Sequence, residues 1–186
     1  MSEMQNYVIL VDEFDAEIGV CEKLEAHSNG LLHRAFSVLL YNSKGELLLQ
    51  QRAATKYHSA GLWSNACCSH PAPNESILAA ANRRLYEELF LTEIELTPLF
   101  HFNYIIQFEN GLYENEIDHV LVGKWEQLPI INPEEAMNYA WKSFDEIKLE
   151  LKEKPELYTY WFKHIIEEFE SEVKNGMYEN LQERNV

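Results

Sequence analysis

The sequence predicts an α/β or α+β fold built on a mixed sheet. Three observations carry this. Strand-like and helix-like segments interleave along the chain rather than forming separate blocks. Apolar runs of strand length are joined by Asn-Gly and Ser-Lys-Gly turns. One long segment, Asn74 to Leu89, repeats its apolar residues at helical spacing. The 186 residues, 46% hydrophobic, fit one domain (1–186) that buries its own core without disulfides or a structural metal.

Tyr7 to Val11 reads as a first strand, with Ile18 to Cys21 as its hairpin partner. Lys23, His27 and His33 follow in a stretch read as irregular, with Asn29-Gly30 as a turn. Arg34 to Tyr41 is a strong strand, turned by Asn42-Ser43-Lys44-Gly45, and Glu46 to Arg52 returns as its antiparallel partner. The central helix is expected over Asn74 to Leu89. Asn74 is its N-cap, and Ile77, Leu78, Ala81, Leu85 and Leu89 form its apolar face. Leu99 to Phe108 and Leu112 to Val122 form a hairpin about Asn110-Gly111. Tyr139 to Lys142 is a further strand, and Ser143 with Glu146 forms a capping box for a short helix. A last helix is expected over about 155–175, starting at Pro155. Its stripe is Leu157, Trp161, Ile165, Phe169 and Val173, with Gly176 as the stop and a mobile acidic tail beyond Met177.

The formal net charge of −16 disfavours nucleic acids and anionic membranes as partners. It also repels phosphorylated metabolites, so such a substrate needs a local cluster of cations. Three cysteines, two of them adjacent, suggest no disulfide framework and point to a reducing, cytoplasmic setting. Met1 to Tyr7 lacks a signal-peptide pattern. No run approaches the roughly 20 apolar residues of a membrane span.

The stretch that carries chemistry is Leu62-Trp63-Ser64-Asn65-Ala66-Cys67-Cys68-Ser69-His70-Pro71. In an extended segment Cys68 and His70 leave the same face, setting a thiol beside an imidazole. Glu114 and Glu116 likewise share one strand face. With His27, His33 and His70 they make five ligands for one divalent metal, leaving a sixth position open, and the donor set suits Zn, Mn, Fe or Mg. His58, His101, His119 and His164 have no partner in the pattern and are taken as surface or core residues. Arg84 and Glu88, four apart on the helix, read by default as a surface ion pair. Trp161, at helical spacing, reads by default as core.

Leu31-Leu32-His33-Arg34-Ala35-Phe36-Ser37, Gly61 to Pro71 and Tyr113-Glu114-Asn115-Glu116 together resemble the type I isopentenyl-diphosphate isomerases over about residues 7 to 170. The resemblance implies a Nudix fold, a mixed sheet sandwiched between helices. It also implies flavin-independent conversion of isopentenyl diphosphate to dimethylallyl diphosphate in isoprenoid precursor synthesis. Carried over position by position, Cys68 and Glu116 become the acid–base pair. Tyr104 orients the carboxylate and Trp161 faces the hydrocarbon tail. His27, His33, His70, Glu114 and Glu116 hold a divalent metal (Mn²⁺, Zn²⁺ or Mg²⁺), and Glu88 helps to bind a Mg²⁺ that arrives with the diphosphate. Lys23, Arg52, Lys56 and Arg84 grip the diphosphate. The oligomeric state stays open, a monomer among the options.

Against the Nudix hydrolase box, Glu75, Glu87 and Glu88 remain, but Ser69 stands for the first Gly, Arg84 for one Glu and Phe90 for the last Gly. Phe90 departs from the isomerase pattern too, which puts the helix end and the placement of Glu88 in question. Asn74 also replaces a usual Gly. The alternatives are a Nudix diphosphate hydrolase, disfavoured by the missing Glu, and a non-catalytic diphosphate or metal sensor. A sensor would have no need of Cys68, Glu116, Tyr104 and Trp161 together.

Overall fold

The structure is a computed structural model that describes residues 6–182. Its strands are β1 (Tyr7–Val11), β2 (Glu17–Glu22), β3 (His33–Tyr41), β4 (Leu47–Arg52), β5 (Trp63–Asn65), β6 (Cys67–Ser69), β7 (Leu96–Gln107), β8 (Tyr113–Lys124) and β9 (Ala136–Lys142). Its helices are α1 (Lys23–Asn29), α2 (Ile77–Leu89), α3 (Phe144–Glu153), α4 (Tyr160–Glu168) and α5 (Glu170–Gln182).

β3 is the axis. One edge pairs in parallel with β8 along its whole length, from His33↔Glu116 to Tyr41↔Lys124. Its antiparallel partners follow one another: β1 at His33, β6 at Phe36 to Val38, β4 at Tyr41. The expected β3–β4 hairpin therefore touches at one pair only. β4 diverges and carries β5 and β9 instead, and the gap this opens admits β6. The β7–β8 hairpin forms as expected.

Alternation sorts β3, β4 and β8 between two main cores. Phe36, Val38 and Leu40 meet Ala81, Leu85 and Leu89 of α2. Leu39, Tyr41, Val120 and Val122 meet Phe162, Ile165 and Val173 of α4 and α5. The sheet thus lies between helices, as expected. Toward the start of β3 and β8 this second face changes character. The row Val122, Val120 continues as Asp118, Glu116, Glu114, and the row Tyr41, Leu39 as Ser37, Ala35, His33. A core becomes a cleft without any change of strand.

Five local expectations are corrected. The stretch after β2 is a seven-residue helix, α1, opened by the Glu22 side chain and closed by Gly30 at φ 64°, a left-handed conformation that favours glycine. Seven residues are too few for a periodic signal to stand out. The N-cap of α2 is Ser76, and Asn74 instead takes φ 66°, which Asn tolerates better than most residues. On that helix Leu78 is exposed and Ala80 takes its place inside. The last helix is two helices broken at Phe169, with a 3₁₀ turn at Pro155–Leu157 in which Leu157 is exposed. Gly176 does not stop α5. A Cβ there would lie 2.3 Å from Leu99, so glycine admits that close packing. The helix continues through Gln182; the remainder of the expected tail, 183–186, and the start of the chain, 1–5, lie outside the described residues.

Phe90 is the C-cap of α2 and sits at φ 53°, ψ 31°, its N–H bonded to the Leu85 and Tyr86 carbonyls. The left-handed turn that a glycine would make is thus kept, at a steric cost of roughly 1–2 kcal/mol for an L side chain. Glu88 consequently stays on the cleft. Phe90→Gly is expected to stabilise the protein by about 1 kcal/mol, after allowing for its edge contact with Tyr86. A melting scan should rise by roughly 2–4 °C. A lower melting temperature would show that the Phe90 contacts outweigh the backbone strain.

Candidate active site

A cleft opens where α1, the β4–β5 connection, β6, β7 and β8 converge. Cys68, His70, Tyr104, Glu114, Glu116 and Trp161 line it, as do Lys23, Arg52, Lys56, Arg84 and Glu88. Of the residues singled out in the sequence, His27 and His33 lie just behind this wall, fully buried, with their rings 4.8 Å apart.

The imidazoles are aimed by the backbone. His27 Nδ1 is 2.7 Å from the Lys23 carbonyl, and His33 Nδ1 is 2.7 Å from the Leu31 carbonyl. A carbonyl only accepts, so each Nδ1 carries the proton and each Nε2 turns a lone pair inward. His33 Nε2 lies 3.2 Å from His70 Nε2 and 3.3 Å from Glu116 Oε1; His70 Nε2 lies 2.9 Å from that same oxygen. Two acceptor atoms, His33 Nε2 and Glu116 Oε1, thus compete for the single proton that a neutral His70 can supply. His27 Nε2 is buried and has no hydrogen-bond partner. Together His27, His33, His70 and Glu116 present ligand atoms that all lie within 4.8 Å of one another. Ligands opposed across an octahedral ion with 2.1 Å bonds are roughly 4.2 Å apart. The cluster is therefore suited to a divalent cation, which would satisfy the orphaned nitrogen and replace the shared proton.

Glu114 falls into a second group, with His27 and His58. Its Oε1 is 3.3 Å from His58 Nε2 and its Oε2 is 3.0 Å from Tyr104 Oη. His58, taken from the sequence as surface or core, is thus a cleft residue, stacked on Phe108 at 4.7 Å. His27 has one free ring nitrogen, so it can serve only one of the two groups at a time. The five expected ligands converge, but Glu114 is held half a step aside.

Tyr104 Oη donates to Glu116 Oε2 at 2.6 Å, which leaves the opposite oxygen to the histidines. Burial opposes ionisation of Glu116, but hydrogen bonds and charge from the His33 and His70 imidazoles, when each is protonated at Nε2, outweigh that and hold the carboxyl well below the usual carboxylate range. Burial, then the neighbouring Glu116 charge, drive Glu114 well above it. Burial likewise pushes the Cys68 thiol up to about 12, with the Arg52 guanidinium, 3.7 Å from the sulfur, pulling the other way. Cys68 is thus a protonated thiol at neutral pH with a cation beside it that would stabilise its conjugate base. Trp161 is 2% exposed, packed in the helical core, and has Arg52 over its ring at 5.3 Å. It is core and cleft wall at once.

The basic residues converge from four segments. Burial first, and the charges of Arg84 and Lys56 next, depress the Lys23 ammonium. Arg84 is no simple surface pair. It reaches Glu88 at 2.8 Å, Glu87 at 2.6 Å and Glu135 at 3.1 Å, and Lys56 also pairs with Glu135. Glu88, 4% exposed, accepts from Gln50 at 2.8 Å and from the buried Cys67 thiol at 3.4 Å, so Cys67 supports the carboxylate behind the cleft. Glu135 has no sequence signal. It sits in a polar loop that Asn132 ties to the end of α2. Glu75 is spent on Arg83 at 2.8 Å, away from the cleft. His119 pairs with Asp15 at 2.9 Å, beside His101, and His164 stacks on Tyr160; none of these three lines the cleft.

Asp118 is 1% exposed and accepts from Ser37 at 2.8 Å, with its Oδ1 unpartnered. Burial, and then the Glu116 charge, raise its carboxyl to about 8. A carboxyl whose folded pKa lies above its unfolded value binds a proton on folding, so stability falls as pH rises from about 4 toward 8. In metal-free protein the melting temperature of Asp118→Asn should gain on wild type across that window. Parallel curves would place the Asp118 titration outside it.

The NUDIX domain family matches residues 31–165. The isopentenyl-diphosphate delta-isomerase of Pectobacterium atrosepticum is 54% identical over 156 residues, 84% of this chain and 87% of its own. Isopentenyl-diphosphate delta-isomerase 2 of Photorhabdus laumondii is 43% identical over 181 residues, 97% of each chain. Among solved structures, the MutT protein of Methanosarcina mazei superposes with a TM-score of 0.62 at 23% identity, covering 77% of this chain and 96% of its own, which speaks for the fold. No described helix is long and apolar enough to cross a membrane. The matched span and the level of identity place the chain in the Nudix domain family and, within it, among the isopentenyl-diphosphate delta-isomerases.

Proposed function

We propose that the cleft isomerises isopentenyl diphosphate to dimethylallyl diphosphate, with Cys68 and Glu116 as the acid–base pair. The observation that carries this is the convergence on one cleft of a protonated thiol, a His-bound carboxylate and an indole, beside four cations. The reaction adds a proton to the terminal alkene carbon and removes one from the carbon nearer the diphosphate. A tertiary carbocation, or something near it, lies between. Cys68 and Glu116 act on opposite faces of the five-carbon tail, and Tyr104 fixes which Glu116 oxygen faces the substrate. The Trp161 face stabilises the positive charge, worth about 2 kcal/mol when desolvated. The buried wall of Trp161 and Tyr104 keeps water from the cation.

Lys23, Arg52, Lys56 and Arg84 hold the diphosphate, which displaces Glu135 from Lys56 and Arg84. His27, His33, His70, Glu114 and Glu116 would hold one divalent metal, Mn²⁺, Zn²⁺ or Mg²⁺. Glu88 would take part in binding the Mg²⁺ of the diphosphate. When bound, the first ion supplies positive charge that tunes the proton affinity of the Glu116 carboxylate. Arg84 at a position that is Glu in the hydrolase box neutralises Glu88, which favours gripping a diphosphate over cleaving it. The three free thiols fit a cytoplasmic enzyme. The test is an isomerisation assay of wild type and Cys68→Ala at controlled metal content. Equal, background-level conversion by both proteins would end this reading.

A further inference from the structure

We infer that Ser64 is a positioning residue for the isomerisation, pinning the Trp161 indole beside Cys68. The inference rests on the reading above. Ser64 lies on β5 and is fully buried. Its Oγ is 3.0 Å from Trp161 Nε1, 3.0 Å from Thr159 Oγ1 and 3.0 Å from Asn65 Oδ1, and 4.0 Å from Cys68 Sγ. One oxygen therefore touches the residue proposed to hold the cation and the residue proposed to move the proton.

The polarity of this hub is fixed. Asn65 spends its Nδ2 on the Val38 and Cys67 carbonyls, at 3.2 and 2.6 Å, which sets its Oδ1 as an acceptor. Ser64 has one proton and gives it to that oxygen. Its two lone pairs are then left for donors, and the indole N–H can only donate. Thr159 must donate as well. Thr159 is the N-cap of α4, yet its side chain makes no cap bond to the helix. Its hydroxyl is diverted to Ser64 instead, so two residues of the first turn of α4 dock on one oxygen. A locally favourable interaction is forgone, and what is gained is the orientation of one ring. An indole held at its Nε1 edge cannot turn its face away from the cleft, and attraction to a cation depends on that face.

The test compares Ser64→Ala and Ser64→Thr with wild type, by ¹H–¹⁵N spectra of the indole N–H groups, kcat and KM, and inhibition by two diphosphates. One inhibitor carries a dimethylammonium tail and the other its neutral branched-alkyl isostere. In Ser64→Ala the Trp161 indole proton should move upfield and exchange faster, and kcat should fall about 10- to 100-fold with KM within about threefold. Selectivity for the ammonium over the neutral inhibitor should drop roughly tenfold. Ser64→Thr, which keeps the hydroxyl, should stay near wild type in all three. If Ser64→Ala does not fold, Ser64→Cys, of similar shape and a weak acceptor, replaces it. An unmoved indole signal, unchanged ammonium selectivity, or equal loss of both inhibitors would each overturn the inference. A wild-type protein that binds diphosphates without isomerising them sinks the reading above instead, while the indole signal still decides whether Ser64 holds Trp161.

Discussion

Cys68→Ala is expected to lower the isomerisation rate by about 10³-fold or more, the upper range for removal of a positioned acid–base group. The fold should survive. Cys68 is small and partly exposed at the cleft, and its polar contacts are long, 3.7 Å to Arg52 and 4.0 Å to Ser64. The loss should fall on kcat, since the sulfur is not among the groups that grip the diphosphate. Cys68→Ser is expected to recover little, because a hydroxyl is a far weaker acid than a thiol. The decisive measurement is exchange of substrate protons with deuterated solvent, followed by NMR. Cys68→Ala that retains conversion within tenfold of wild type would remove the sulfur from the mechanism.

Glu116→Gln should fail in two ways at once. The carboxylate meets His33 and His70 through Oε1 and Tyr104 through Oε2. An amide keeps the shape but offers one acceptor in place of two, and it cannot take up a proton at working pH. Activity is therefore expected to fall by about 10³-fold or more, and divalent-metal affinity by at least ~10–100-fold. Calorimetric titration of the metal-free protein reads the second effect without any turnover. A variant that loses activity and binds metal as wild type does would confine Glu116 to proton transfer. One that retains activity would take it out of the mechanism.

The strands were legible because alternation is a local property. β3, β7, β8 and β9 begin and end within a few residues of where the apolar pattern and the turns put them. Glu114 with Glu116, and Cys68 with His70, could be placed on shared faces for the same reason. His58, Glu135 and Ser64 could not. His58 and Glu135 lie in connections without periodicity, and Ser64 matters only through Trp161, 97 residues later. The split of β4 from β3 was hidden too. Two apolar runs flanking a turn predict a hairpin, and the competing partners β5, β6 and β9 lie elsewhere in the chain. Phe90 shows the limit from the other side. Its identity argued for a disturbed helix end, whereas the capping bonds hold the left-handed turn despite the side chain.

What the residues alone determined is which atoms are offered: a thiol beside an imidazole, two carboxylates in step, four cations in an acidic chain. Those follow from side-chain chemistry and from a two-residue repeat that no distant contact can alter. What only the tertiary structure decided is which atoms meet. That Glu114 leans to His58, that Lys56 and Arg84 share Glu135, and that an N-cap threonine and an indole meet on one serine oxygen all depend on pairing between segments tens of residues apart. Such pairing is set by the collective packing of two cores, and no short stretch of sequence encodes it.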